Sequence, residues 1–248
     1  MNSSNPALRQ ETFSNYGLMS GAETMTIQGV IFKTIICLML AMLSAGWTWI
    51  KFYQSGGDVS TVTPWMIGGV VGGLILAMAT IFKKEWAPIT APLYALVEGL
   101  AIGGISSMFE ASYPGIVIQA VSLTFGTMFV MLAAYSTGFI RVTERFKLGV
   151  IAATGGIFIF YMASMVLSFF GITMPLIYSS SMFGILFSLF VVVIAALNLV
   201  MDFDAIEQGA RQGAPKYMEW YGSFALMVTL IWLYFEFLRL LSKIQSRD

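Results

Sequence analysis

Long apolar runs divided by short polar breaks make up most of this chain. Seven of them, at about 30–53, 64–82, 89–110, 114–137, 147–170, 182–208 and 217–241, have the length of roughly 20 residues that an α-helix needs to cross a hydrocarbon core about 30 Å thick. The pattern predicts an all-α, polytopic membrane protein with seven transmembrane helices. Pro64, Pro88, Pro114, Pro175 and Pro215 lie at or between the expected ends, where a residue without an N–H interrupts a helix at least cost. The first 28 residues are polar, with Asn2, Ser3, Ser4, Asn5, Arg9, Gln10, Glu11 and Thr12 among them. They lack a charged n-region and a small-residue cleavage pattern, so a cleaved signal peptide is not expected. The expected organisation is a polar N-terminal segment over 1–28 and a transmembrane domain over 29–248.

Composition agrees. Of 248 residues 58% are apolar and only 10% charged, against roughly 45–50% and about 25% in soluble domains. Little length remains for a further folded unit. Thirteen basic and thirteen acidic residues balance, and no basic stripe with interleaved aromatics appears, so nucleic acid is not an expected partner. The chain has no histidine and one cysteine, Cys37, inside the first run. That removes His-based acid–base catalysis, Ser/His and Cys/His nucleophilic pairs, Cys/His zinc sets and an internal disulfide. No Walker loop, dinucleotide fingerprint, metalloprotease helix or nucleophile elbow is present, and no enzyme is expected. Carboxylate, hydroxyl, amide and backbone oxygen remain, a set suited to protons and hard cations; no cofactor is implied beyond calcium as a permeant or transient ion.

Basic residues are unevenly spread. Lys83, Lys84, Arg141, Arg145, Lys147, Arg211 and Lys216 fall in alternate connections, whereas the other three hold only Lys51. The positive-inside rule then places the N-terminus in the cytoplasm. Arg239, Lys243 and Arg247 in the tail run against an outside C-terminus. Trp47, Trp49, Tyr53, Trp65, Tyr113 and Tyr178 lie near expected outer ends, and Trp86, Tyr217 and Trp220 near inner ones, as in two aromatic belts. Gly68/Gly72, Gly69/Gly73 and Gly99/Gly103 recur at four-residue spacing, which lets helix backbones approach closely in lipid; lining a pore or acting as hinges is the other reading.

A charge inside the hydrocarbon costs about 2.5–3.5 kcal/mol, so each one asks for an account. Lys33 and Arg239 can reach the interface on their long stems. Four acids remain: Glu98, Asp202, Asp204 and Glu236. Glu98 lies ten residues beyond Pro88 and Asp202 ten before Gln212, each roughly 15 Å deep, so the two carboxylates could meet. Ser188, Ala195, Asn198, Asp202 and Gly209 fall on one face of the sixth span, a small or polar stripe that must face protein or water. Asp204 is about 200° away from Asp202 and cannot share its face in an unbroken helix. The alternatives stay open: Glu98 and Asp202 as a proton- or ion-responsive pair or as neutral buried acids; Asp204, with Glu207, as part of a site or as a solvated helix end; Glu236 as a buried acid or an interface residue beside Arg239 and Lys243. Glu110 reads as a loop charge.

Gly99-Leu100-Ala101-Ile102-Gly103, Tyr113-Pro114-Gly115-Ile116, Thr124-Phe125-Gly126 and Met201-Asp202-Phe203-Asp204-Ala205-Ile206 together resemble the Bax-inhibitor-like family of seven-helix membrane proteins, also called the transmembrane Bax inhibitor motif or lifeguard family, in its bacterial branch. The resemblance covers about residues 29–241. It implies a bundle with the last helix central, and an acid pair on spans six and seven that shares a proton, senses pH and gates a calcium leak, in a bacterial inner (plasma) membrane. Asp202 matches the span-six acid. On span seven, matching the family run to Ala225-Leu226-Met227-Val228-Thr229-Leu230 puts Ile231 in the acid's place, whereas matching Leu233-Tyr234-Phe235 puts Glu236 there; failing Glu236, Glu98 supplies the second carboxylate.

The function expected is a pH-responsive cation leak, with calcium permeant, gated by protonation of buried carboxylates. Asp202, Glu98, Glu236 and Asp204 sense the proton, Asn198 and Ser188 line the path, and Asp202 with Glu98 meets the calcium. Two carboxylates in a low-dielectric bundle cannot both ionise cheaply, so they would hold one proton between them near neutral pH. The lipid bilayer, protons and calcium are the partners. The rival is a non-conducting regulator that binds a membrane protein, for example a membrane-bound protease as some of the resembling family do, with its polar N-terminus as a recognition arm.

Overall fold

The computed structural model describes residues 24–171, 174 and 179–247. The greater part of the expected N-terminal segment, Pro175 and Tyr178 lie outside them. Among the described residues the helices are α1 (Ile27–Gln54), α2 (Val59–Phe82), α3 (Ala87–Ser112), α4 (Ile116–Ser136), α5 (Glu144–Phe169), α6 (Met182–Arg211) and α7 (Met218–Gln245), with a 3-10 turn, Lys84–Trp86, leading into α3. All seven are long and apolar enough to cross a membrane. Among the described residues there is no strand, only an isolated bridge between Thr24 and Pro215.

Local chemistry sets the ends. The side chains of Thr26, Asp58, Thr143 and Ser181 accept hydrogen bonds from the first-turn N–H groups of α1, α2, α5 and α6. The Ser60 hydroxyl and N–H hold the Asp58 carboxyl below the usual carboxylate range. That cap starts α2 five residues before the expected 64, so Pro64 lies inside the helix rather than at its end; so near the start, its missing N–H costs one intrahelical bond. Glu110 does more than a loop charge: its two carboxylate oxygens accept from the N–H groups of Gly115 (2.6 Å) and Val117 (3.0 Å), closing the start of α4 behind Gly115, whose φ of +86° favours glycine.

Small residues decide which helices touch most closely. A Cβ on Gly99 or Gly103 of α3 would overlap α1 at Ala41, Ser44, Ala45 and Thr48. On α2, a Cβ on Gly69 would meet Ala101, and one on Gly73 would overlap the Glu98 carboxylate, whereas Gly68 has open space around it. The Gly69/Gly73 ridge and Gly72, which meets Val97, therefore pack on α3, and α1, α2 and α3 form a tight layer. α7 lies against α1, α3, α4 and α6. In its most apolar stretch 67% of residues are buried, against 17% in α2, α4 and α5. Outward-facing Leu43, Leu74, Ile118, Phe158 and Phe183 present apolar surface to lipid.

Gly103→Ala is expected to force α1 and α3 apart and destabilise the protein by about 1–3 kcal/mol, read as a lower unfolding temperature in detergent. Gly126→Ala, where nothing lies within 4 Å, should leave it unchanged.

Candidate functional site: carboxylates in the helix seams

Short connections put the start of α1 and the α2–α3, α4–α5 and α6–α7 links at one end of the bundle, here termed the basic face. α6 runs unbroken through Asp202 and Asp204 and turns the two in different directions. Asp202 is fully buried against α7, where the Thr229 hydroxyl donates to its Oδ2 at 2.5 Å. The same hydroxyl lies 3.3 Å from the Ala225 carbonyl, its second acceptor. Asp204 faces α5 and α4: Lys147 Nζ is 3.2 Å from its Oδ2, Gln208 donates to it at 2.6 Å and Tyr135 OH lies 3.5 Å away. It is a partnered residue rather than a solvated helix end, because the buried Lys147 pairs with it. Glu207 continues this cluster, accepting from Tyr135 OH and pairing with Arg211 at 2.6 Å.

The small and polar stripe of α6 is buried throughout, as a polar face in lipid must be. Its members meet different neighbours. Asn198 donates to Thr154 of α5 (2.9 Å) and to the Ile194 carbonyl (2.8 Å). Ser188 accepts from Lys243 of α7 (2.8 Å), whose Nζ also donates to the Gly184 carbonyl (2.9 Å). The tail cation that ran against the charge rule is thus folded into the α6–α7 seam.

Glu236 is buried. It accepts from Arg239 (2.8 and 2.9 Å), Tyr161 OH of α5 (3.1 and 3.2 Å) and the Trp232 indole (3.2 Å). Arg239 also donates to Tyr161 OH at 2.6 Å. Glu98 stands apart from all of these, its carboxylate against Gly73 in the α2–α3 seam, and among the described residues no hydrogen bond joins it to Asp202. Among the described residues, too, no three acidic or cysteine side chains come together as a metal site would require.

One acid escaped the sequence reading. Glu219, in the first turn of α7, is fully buried and accepts from the Thr26 N–H (2.9 Å) and hydroxyl (2.8 Å), pairs with Lys33 of α1 and lies 3.4 Å from Lys216. Lys33 therefore has a carboxylate partner and need not extend to water. Met25 N–H donates to the Ala214 carbonyl at 2.7 Å, so the entry of α1 and the α6–α7 link close on one another. The available signal was a cation and an acid near the basic ends of two spans. Thr229 carried no such signal, since one threonine in an apolar run is unremarkable by composition.

A bundle of seven apolar helices with carboxylates buried in its seams defines a polytopic membrane protein. The sequence model of the Bax inhibitor 1 like family matches residues 5–246, nearly the whole chain, and the chain belongs to that family. No curated protein and no solved structure matches it.

Breaking a buried ion pair strands the remaining charge at about 3–5 kcal/mol. Glu219→Ala should therefore lower the unfolding temperature in detergent markedly, while Glu219→Gln, which keeps an acceptor for Thr26, should cost less.

Proposed function

We propose that the protein is a pH-responsive cation leak in which Asp202 is the proton-sensing group and calcium is a permeant ion. The observation that carries this reading is the hydroxyl partner. With Asp202 ionised, Thr229 donates to it; with Asp202 protonated, the acid can donate to Thr229, which then turns its own proton to the Ala225 carbonyl. Asp202 Oδ2 and the Thr229 hydroxyl thus keep each other as partners in both protonation states, so the seam can change charge without breaking this contact. The ionised state adds negative charge to a low-dielectric seam, and a cation or water entering it relieves that charge. Proton occupancy thereby biases a closed seam against an open one. Glu98 is the second carboxylate of this reading, reached from the α2–α3 side when the helices part. The basic face is cytoplasmic, the membrane is a bacterial inner membrane, and α7, packed on four helices, is the axis about which the bundle opens.

Calcium flux in proteoliposomes between pH 6 and 8 tests the proposal. Flux should rise with pH in the natural protein and lose its pH dependence in Asp202→Asn. Thr229→Val removes the donor to the ionised acid, so the midpoint should move upward by about one pH unit, the equivalent of one charge-assisted hydrogen bond. An unchanged pH profile in Asp202→Asn defeats the reading.

A further inference from the structure

A groove of about 930 Å³ runs between α1 and α4, floored by α6 and α7. Ile31, Ile35, Phe129, Leu132, Phe203 and Leu226 line its apolar body. It shares Leu38 and Phe125 with a second apolar cavity of about 260 Å³ that reaches Trp49 and Tyr234, so the two form one lateral cleft. The larger cavity runs along α1 from Ile27 to Leu38, about 16 Å, half the thickness of a hydrocarbon core of about 30 Å. Ile31 and Phe129 are exposed on the outer surface, so the groove opens sideways toward lipid.

Its mouth at the basic face is polar, with Ser136, Thr137, Arg141 and Glu207. Glu207 is engaged by Tyr135 and Arg211. The last α4 carbonyls are taken up by the N–H groups of Thr137, Gly138 and Ile140. Arg141 is exposed and, among the described residues, has no acidic partner. A chain-wide apolar slot one leaflet deep, with an uncompensated guanidinium at interface level, matches the shape and charge of one molecule.

We propose that this groove is a binding site for an anionic phospholipid, one acyl chain lying between α1 and α4 and the phosphate held by the Arg141 guanidinium. Basic pockets between transmembrane helices suit such headgroups, and a planar guanidinium offers phosphate two parallel hydrogen bonds. The site is independent of conduction and of Asp202.

The test is native mass spectrometry of the purified full-length protein, delipidated and then offered equal amounts of phosphatidylglycerol and phosphatidylcholine. The natural protein should retain one phosphatidylglycerol. Arg141→Ala should reduce that preference about tenfold, as expected for loss of a charge-assisted hydrogen bond. Leu132→Trp, which fills the groove from a lipid-exposed position, should abolish retention of both lipids. Arg145→Ala, four residues on in the first turn of α5 and outside the groove, should behave as the natural protein. The proposal is overturned if the natural protein retains neither lipid, if Arg141→Ala keeps full preference, if Arg145→Ala loses as much as Arg141→Ala, or if lipid enters only after deletion of residues 2–23, which would assign the groove to that segment.

Discussion

Polar atoms carried into hydrocarbon find no water, so each must be satisfied by another part of the protein. That constraint ties α7 to its neighbours. Glu219 near its start, Thr229 in its middle, and Glu236 and Lys243 toward its end each reach a partner on another helix: α1, α6, α5 and α6 in turn. A helix with so many inward demands cannot lie on the lipid side. Its polarity and its burial are two expressions of one requirement.

The remaining seams follow from side-chain size, because lipid tails give helices no general reason to associate. α1 shows both outcomes. The face holding Ala41, Ser44, Ala45 and Thr48 allows α3 to approach until backbone nearly meets backbone at Gly99 and Gly103. The face holding Ile27, Ile31 and Ile35 at four-residue spacing is bulky and, among the described residues, stays exposed, and the groove lies along it. Tight layer and open cleft are two sides of one helix.

Much of this was legible in the sequence, and the reasons differ by feature. The seven spans were, because a run of about 20 apolar residues is forced by bilayer thickness; observed ends differ by a few residues where caps such as Asp58 act. The opposite orientation of Asp202 and Asp204 followed from helical pitch, and the burial of the α6 stripe from the cost of polarity in lipid. Pairing across helices was not legible. Depth alone brought Glu98 and Asp202 to the same level, but which seam each enters depends on helix rotation, and the glycines of α2 draw Glu98 toward Gly73 while Thr229 takes Asp202. Lys33 read as an interface cation because nothing local to it names Glu219.

Partner type sorts the acids that the sequence singled out. Asp204 faces Lys147, and Glu236 faces Arg239, so adding a proton to either acid would break an ion pair. Such pairs are ties between helices, and their chemistry favours one arrangement. Asp202 instead meets a hydroxyl able to donate or to accept, with a backbone carbonyl behind it as a second acceptor. Register of sequence motifs on the seventh span leaves open which residue stands opposite the sixth-span acid. In the structure Thr229 of α7 hydrogen-bonds that acid, and a hydroxyl at this contact can reverse its direction where a second carboxylate could only repel.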